Sequence, residues 1–315
     1  MPRKSYKNKK NKKRTTQKKK DSFEQMNCNP LVEGKTVSSI SCLTPEALLK
    51  IKYEYNNSHP SDIIDTKDPR KIYSELKNKL DHCDKEDCWL EQIQDKQLRN
   101  TIDNLSFAPD EPDEWKNNPD EWLSNFDIFN VMHQFEQKHG EFKFLGPTSI
   151  DFDSKLPQKG GKCVEEDLCN FSLYYWMKKG KTKFGIVFNL DKHDEPGSHW
   201  VSLFIDTKNK FVFYFDSAGA KKVPDEITSF VEKIQEQGNE NNIKLTYYNN
   251  KGIQHQKGNT ECGMYSLFFI ITMLTGKVPF LKTNLNVKKR IKMFLKVKIP
   301  DKLVFDYREL YFNEK

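Results

Sequence analysis

Between residues 184 and 215 the chain passes through three apolar stretches separated by polar, turn-forming segments. Residues 184–190, 199–205 and 211–215 are rich in β-branched and aromatic side chains and read as strands. A further strand is predicted over 243–248, and a short apolar stretch lies at 142–146. Val201, Leu203, Ile205, Val212 and Tyr214 share the face of His199, while Phe204, Phe211, Phe213 and Phe215 lie on the other. A sheet apolar on both faces must be covered on both. Helical patterns supply the cover at 124–139, which stops at Gly140, at 165–179, which stops at Gly180, and at 224–238. The longest apolar run, 267–274, is too short to span a bilayer. It reads as a buried helix that starts at Cys262 and sets Leu267, Ile270, Ile271 and Leu274 in the core. The fold class of this region is α+β.

Upstream the pattern is helical. Thr44-Pro45 opens a helix to residue 55, and Asp68-Pro69 opens another with Ile72, Leu76 and Leu80 at helical spacing. A third helix is predicted over 86–105, with Trp89, Leu90 and Ile93 as core candidates. Residues 108–120 are rich in Pro, Asp and Glu and mark a boundary. The expected organisation is a disordered basic tail (1–25), a helical N-terminal arm domain (26–110) and a larger α+β domain (111–315).

Composition sharpens this picture at four points. The 22 Phe, 12 Tyr and 5 Trp argue against a disordered chain. The net charge of +7 is concentrated in the tail, because residues 1–20 hold eleven Lys or Arg and no acid, which leaves about −4 for the rest. Such a run is a candidate nucleic-acid contact, a localisation signal or a solubilising segment. The N-terminus is charged throughout and does not read as a secretory signal. Seven cysteines, an odd number and widely spaced, predict a reducing compartment.

The chemistry centres on Gln256-Lys257-Gly258-Asn259-Thr260-Glu261-Cys262-Gly263-Met264-Tyr265, a polar loop running into the apolar helix. A thiol at a helix N-terminus meets unpaired N–H groups and the positive end of the helix dipole, which favour a nucleophilic thiolate. His199, in Gly197-Ser198-His199-Trp200, is the candidate base, and Asp216, in Tyr214-Phe215-Asp216-Ser217, the candidate orienting carboxylate. A hairpin turn centred between Thr207 and Lys208 would pair His199 directly with Asp216. His193 is a weaker candidate, because it lacks a carboxylate partner at hairpin register. Neither His82 and Cys83 with Cys88, nor Cys163 with Cys169, makes a complete zinc set, so no metal is expected. Gly160-Gly161-Lys162 reads as a loop.

His199-Trp200, then Asp216, then Gln256 six residues before Cys262-Gly263, together resemble the cysteine proteases that process ubiquitin-like proteins such as SUMO. They also resemble the adenovirus maturation protease and, more fully, the polyprotein proteases of large DNA viruses such as African swine fever virus and the poxviruses. Glu121-Trp122-Leu123-Ser124-Asn125-Phe126-Asp127-Ile128 is similar to the motif that opens the catalytic domain of that family. The resemblance covers residues 112–280. It implies a papain-like, ubiquitin-like-protease core with a central mixed sheet flanked by helices. It further implies a Cys262–His199–Asp216 triad, Gln256 as oxyanion donor, and Trp122 and Trp200 as walls of a substrate tunnel that admits only glycine, hence Gly-Gly-Xaa substrates. Glu261 and His255 depart from the residues usual in cellular members. The functions implied are polyprotein processing in the host cytoplasm or particle, or removal of SUMO or ubiquitin-like modifiers. An inactive, nucleic-acid-associated structural protein is the alternative of another class. No cofactor and no membrane partner are expected.

Overall fold

The computed structural model describes residues 23–278, 281 and 283–314, so the basic tail 1–20 lies outside the described residues. The apolar stretches form a five-stranded sheet in the order β1-β4-β5-β6-β7. Its strands are β1 (Phe142–Ser149), β4 (Lys183–Asn189), β5 (Trp200–Asp206), β6 (Phe211–Phe215) and β7 (Thr246–Asn249). The sheet is mixed, because β1 runs parallel to β4 and β7 parallel to β6, while the central pairs are antiparallel. A two-stranded ribbon, β2 (Lys155–Leu156) with β3 (Lys162–Cys163), stands apart from it. Gly160 and Gly161, both at positive φ, turn the chain between β2 and β3.

Each face of the sheet is covered, as its two-sided apolarity requires. Phe204, Phe211, Phe213 and Phe215 pack under α8 (Cys262–Thr275) and α4 (Asn125–Lys138). Val201, Leu203, Ile205, Val212 and Tyr214 pack under α7 (Asp225–Glu240), through Ile227, Phe230, Val231 and Ile234. Helix α8 is buried on all sides except at Thr275, the behaviour of a helix with no polar face. Among the described residues no helix is long and apolar enough to cross a membrane.

The N-terminal region closes on a core of its own, with Leu48, Ile51, Ile72, Leu76, Trp89 and Ile93 inside. Helices α1 (Pro45–Ser58) and α2 (Pro69–Lys79) start at their expected caps, Thr44 and Asp68. Two long helical readings are corrected. The third arm helix is a 3₁₀ segment, Asp87–Gln92, followed by α3 (Lys96–Ser106). The break comes because Asp95 accepts the N–H groups of Gln97 and Leu98 and so caps a new helix. The reading over 165–179 likewise divides into α5 (Glu166–Cys169) and α6 (Leu173–Lys178), with Phe171 buried in the gap against Phe184 and Phe230.

The hairpin register is also corrected. Asp206 pairs with Phe211 and Ser202 with Phe215. The Asp206 carboxylate accepts the backbone and side-chain N–H groups of Asn209, and Lys210 takes a left-handed φ of 57°, which lengthens the turn. A slip of two residues leaves every side chain on its expected face, since the strand period is two. It moves His199 and Asp216 from direct opposition to a diagonal relation.

Candidate active site

Cys262 begins α8 and is almost fully buried. The preceding residue, Glu261, makes no side-chain cap, so the positive end of the helix is left facing the cysteine. The other six cysteines form the disulfides Cys28–Cys42, Cys83–Cys88 and Cys163–Cys169, and Cys262 is the free one. His82, Cys83 and Cys88 would offer three metal-ligand atoms, but the two sulfurs are bonded to each other.

Helix α8 covers one face of the sheet, and His199 belongs to the alternation of the other. They meet because His199 immediately precedes β5 and Asp216 immediately follows β6, at the end of the sheet where α8 starts. His199 Nε2 lies 2.8 Å from Asp216 Oδ1, so a diagonal pair is still within reach. That bond leaves Nδ1 for Cys262, which hydrogen-bonds the His199 side chain.

Burial disfavours the charged imidazole, but the hydrogen bonds to Asp216 and Cys262 and their charges outweigh it and raise the His199 pKa to about 9. Asp216 is held below its ordinary value. Burial pushes it up, and the His199 hydrogen bond and the Ala220 and Ala218 N–H groups push it further down. A histidine value raised in the folded state adds stability that is complete below the ordinary 6.5 and is lost as pH rises toward 9. The stability difference between the wild type and His199→Ala is therefore expected to shrink over that range in thermal unfolding. A pH-independent difference would contradict the protonated imidazole.

The loop after Asp216 is shaped to hold the carboxylate. Ala218 N–H donates to Oδ1 at 2.9 Å and Ala220 N–H to Oδ2 at 2.8 Å. Gly219 lies between them at φ +65, and a Cβ there would stand 2.4 Å from the Ile253 carbonyl oxygen. Asn250, fully buried, accepts the Asp216 N–H and donates to its carbonyl. Gln256 is buried beside this loop, and its Oε1 accepts the Ser217 hydroxyl at 2.6 Å. With the oxygen occupied, the NH₂ end of the amide is the one left for a substrate. Ser217→Ala would release the amide and leave its carbonyl without a donor. The expected result is a roughly tenfold lower kcat with little change in KM, and a loss of about 1–2 kcal/mol in stability.

Trp200 is buried and donates its Nε1–H to the Leu123 carbonyl at 3.1 Å. Gly263 lets the first turn of α8 lie against both, since a Cβ there would be 3.0 Å from Leu123 Cβ and 3.4 Å from Trp200 Cδ1. Trp122 is half-buried and, with Trp200, lines a cleft of about 740 Å³. His193 opens into the same cleft and has a carboxylate partner, though not at hairpin register. Its Nδ1 lies 2.7 Å from Asp151 Oδ2, a carboxylate that follows β1 rather than one in the hairpin. What sets His199 apart is therefore its contact with Cys262.

The two departures have structural partners. Glu261 forms a buried ion pair with Arg308, whose Nε and Nη2 reach its carboxylate at 3.1 and 2.7 Å. Arg308 also donates to the Pro119 and Glu121 carbonyls and stacks over Trp115 at 4.2 Å. His255 is fully buried between the Phe294 carbonyl and the Ile299 N–H. Asp301 accepts the N–H groups of Lys257 and Gly258 and the Tyr265 hydroxyl, tying the loop before Cys262 to the C-terminal helices. Ser217 stood inside a recognised motif, but Asn250, Asp301 and Arg308 carry no local signal in the sequence.

Residues 174–306 match the C-terminal catalytic domain of the Ulp1 protease family. The chain carries a Ulp1-like protease domain. His199, Asp216, Gln256 and Cys262 fall inside this match, while Trp122 and Arg308 fall outside it. A protein of Acanthamoeba polyphaga mimivirus named for a thiol protease is 33% identical over 182 residues, 56% of this chain and 52% of its own length. A cysteine protease of African swine fever virus is 32% identical over 143 residues, 44% of this chain and 46% of its own. A protein from another isolate of that virus, named a SUMO-1 cysteine protease, is 31% identical over 167 residues, 51% and 55% of the two. The chain thus spans about half the length of the curated relatives it matches. The crystal structure of the African swine fever virus protease superposes with a TM-score of 0.63 at 20% identity, covering 93% of this chain and 97% of that one. The chain therefore shares that protein's fold, including helices in the N-terminal region.

Proposed function

We propose that the chain is a cysteine endopeptidase that cuts after Gly-Gly and processes structural polyproteins during viral particle maturation. The observation that carries this reading is the contact of His199 with both Asp216 and the free Cys262 at a helix N-terminus. Cys262 Sγ attacks the scissile carbonyl as the thiolate, the His199 imidazolium that holds its proton gives it to the leaving amine, and water then hydrolyses the thioester. Asp216 sets the imidazole tautomer and supports the imidazolium. The Gln256 amide and the Cys262 N–H receive the oxyanion. Trp122 and Trp200 narrow the approach so that a residue without a side chain passes. No cofactor enters any step. The reading treats 26–110 as an arm and 111–315 as the catalytic domain, acting in the host cytoplasm or the particle. The basic tail 1–20 is proposed to contact nucleic acid.

A second reading, removal of a SUMO-like or ubiquitin-like modifier, is favoured by the name of one relative. The test is a parallel assay of short Gly-Gly-Xaa peptides and of SUMO and ubiquitin C-terminal reporters, run beside Cys262→Ala. Cys262-dependent peptide cleavage is expected. Turnover of a modifier reporter alone would favour the second reading, and no Cys262-dependent turnover of either would favour an inactive, nucleic-acid-associated structural role.

A further inference from the structure

Helix α6 (Leu173–Lys178) contributes no residue to the cleft lined by Trp122 and Trp200. Tyr174 and Tyr175 are 56% and 49% exposed, while Leu173 is buried and Trp176 and Met177 pack against the core. Lys178, Lys179, Lys181 and Lys183 follow, and residues 173–190 contain no acid. The side chains touch in sequence. Lys178 Nζ sits 5.3 Å from the Tyr174 ring, and Lys179 Nζ 4.5 Å from Tyr175 and 5.8 Å from Trp176. Lys143 Nζ lies 5.5 Å from the Trp176 ring, and the Tyr175 and Trp176 rings meet edge to face at 5.2 Å. Lys143 and Lys183 are paired with Glu136 and Glu141. Among the described residues Lys178 and Lys179 have no carboxylate partner, and Lys181 bonds only the Phe142 carbonyl. The patch therefore combines exposed rings with an excess of cations.

A ligand that fits must offer a flat ring and an anion at each repeat. Single-stranded nucleic acid does both, since its bases stack on aromatic rings while its phosphates meet lysines. We propose that the α6 face binds single-stranded nucleic acid, with Tyr174 and Tyr175 as stacking platforms and Lys178, Lys179 and Lys181 as phosphate contacts. A duplex fits less well, because its bases are already stacked inside. An anionic bilayer would draw the lysines, but the apolar residues Leu173 and Met177 face the core and supply nothing to insert. The surface is separate from the tail 1–20 and does not depend on the protease reading.

The test is fluorescence anisotropy of the full chain with a labelled oligothymidylate of about 20 nucleotides, long enough to span the patch. A duplex of equal length and phosphatidylserine–phosphatidylcholine vesicles are run in parallel. Tyr174→Ala/Tyr175→Ala is expected to weaken oligothymidylate binding at least about tenfold, and Tyr174→Phe/Tyr175→Phe to retain it. Lys178→Gln/Lys179→Gln should lower the slope of log affinity against log salt by about 1.4, the value for two phosphates on a single strand. Each variant is compared with the wild type for its unfolding midpoint, and the phenylalanine and glutamine pairs carry the test should the alanine pair fold poorly. In a further full-chain variant the basic residues of the tail are replaced by glutamine. If that change abolishes binding while the tyrosine and lysine pairs bind like the wild type, the α6 surface is overturned. Capture by the vesicles in place of the oligonucleotide would overturn it equally.

Discussion

Cys262→Ala should lower hydrolysis of a Gly-Gly-Xaa peptide by a factor on the order of 10⁴ or more, to the level of the uncatalysed reaction plus residual binding effects. The substitution removes one buried sulfur from the wall of the core, so the fold is expected to persist with a cost of about 1 kcal/mol. Asp216→Asn tests the same site without emptying it. An asparagine side chain has the same shape, but its NH₂ would meet either His199 Nε2–H or one of the Ala218 and Ala220 N–H groups, which now converge on both carboxylate oxygens. Donor would face donor, the imidazole would lose its enforced tautomer, and kcat should fall by about 10⁴. Rates measured with peptide substrate, beside unfolding curves for each variant, decide the matter. An Asp216→Asn enzyme with full activity would remove the carboxylate from the mechanism.

The second large effect is expected at Arg308→Ala. Glu261 and Arg308 are both almost fully buried, and Arg308 also holds the Pro119 and Glu121 carbonyls beside Trp122. Removing one partner of a buried ion pair strands the other, at a cost of about 3–5 kcal/mol. For a chain of this size the unfolding midpoint should drop by roughly 10 °C. Burial already pushes the Glu261 carboxyl above its ordinary value, and Arg308 opposes that push. Without the arginine the carboxyl moves further up, and protonation at low pH relieves part of the penalty. The loss should therefore grow with rising pH. Because Glu261 immediately precedes Cys262, activity should also fall in molecules that remain folded. The double variant Glu261→Gln/Arg308→Met leaves no stranded charge and should recover much of the stability. Equal losses in the single and double variants would show that packing, rather than the ion pair, sets the cost.

Local patterning was enough to read the elements that build the site. The strands over 199–205 and 211–215 were legible because two-sided apolar runs bounded by turn residues have few other solutions. The start of α8 at Cys262 was legible because a polar loop meets an apolar run there. The long helical readings over 86–105 and 165–179 failed where a local cap or a buried phenylalanine ended the helix.

The amino-acid sequence by itself supplied the candidate site residues and their order: His199, Asp216, Gln256, Cys262. Only the tertiary structure decided how they are held. The hairpin slips by two residues, because the Asp206 carboxylate and the left-handed Lys210 set the turn. Ser217 orients Gln256 across 39 residues, Asp151 supports His193 across 42, and Arg308 reaches Glu261 across 47. Periodicity and propensity act over a few neighbours, whereas these bonds join segments that meet only once the core has closed.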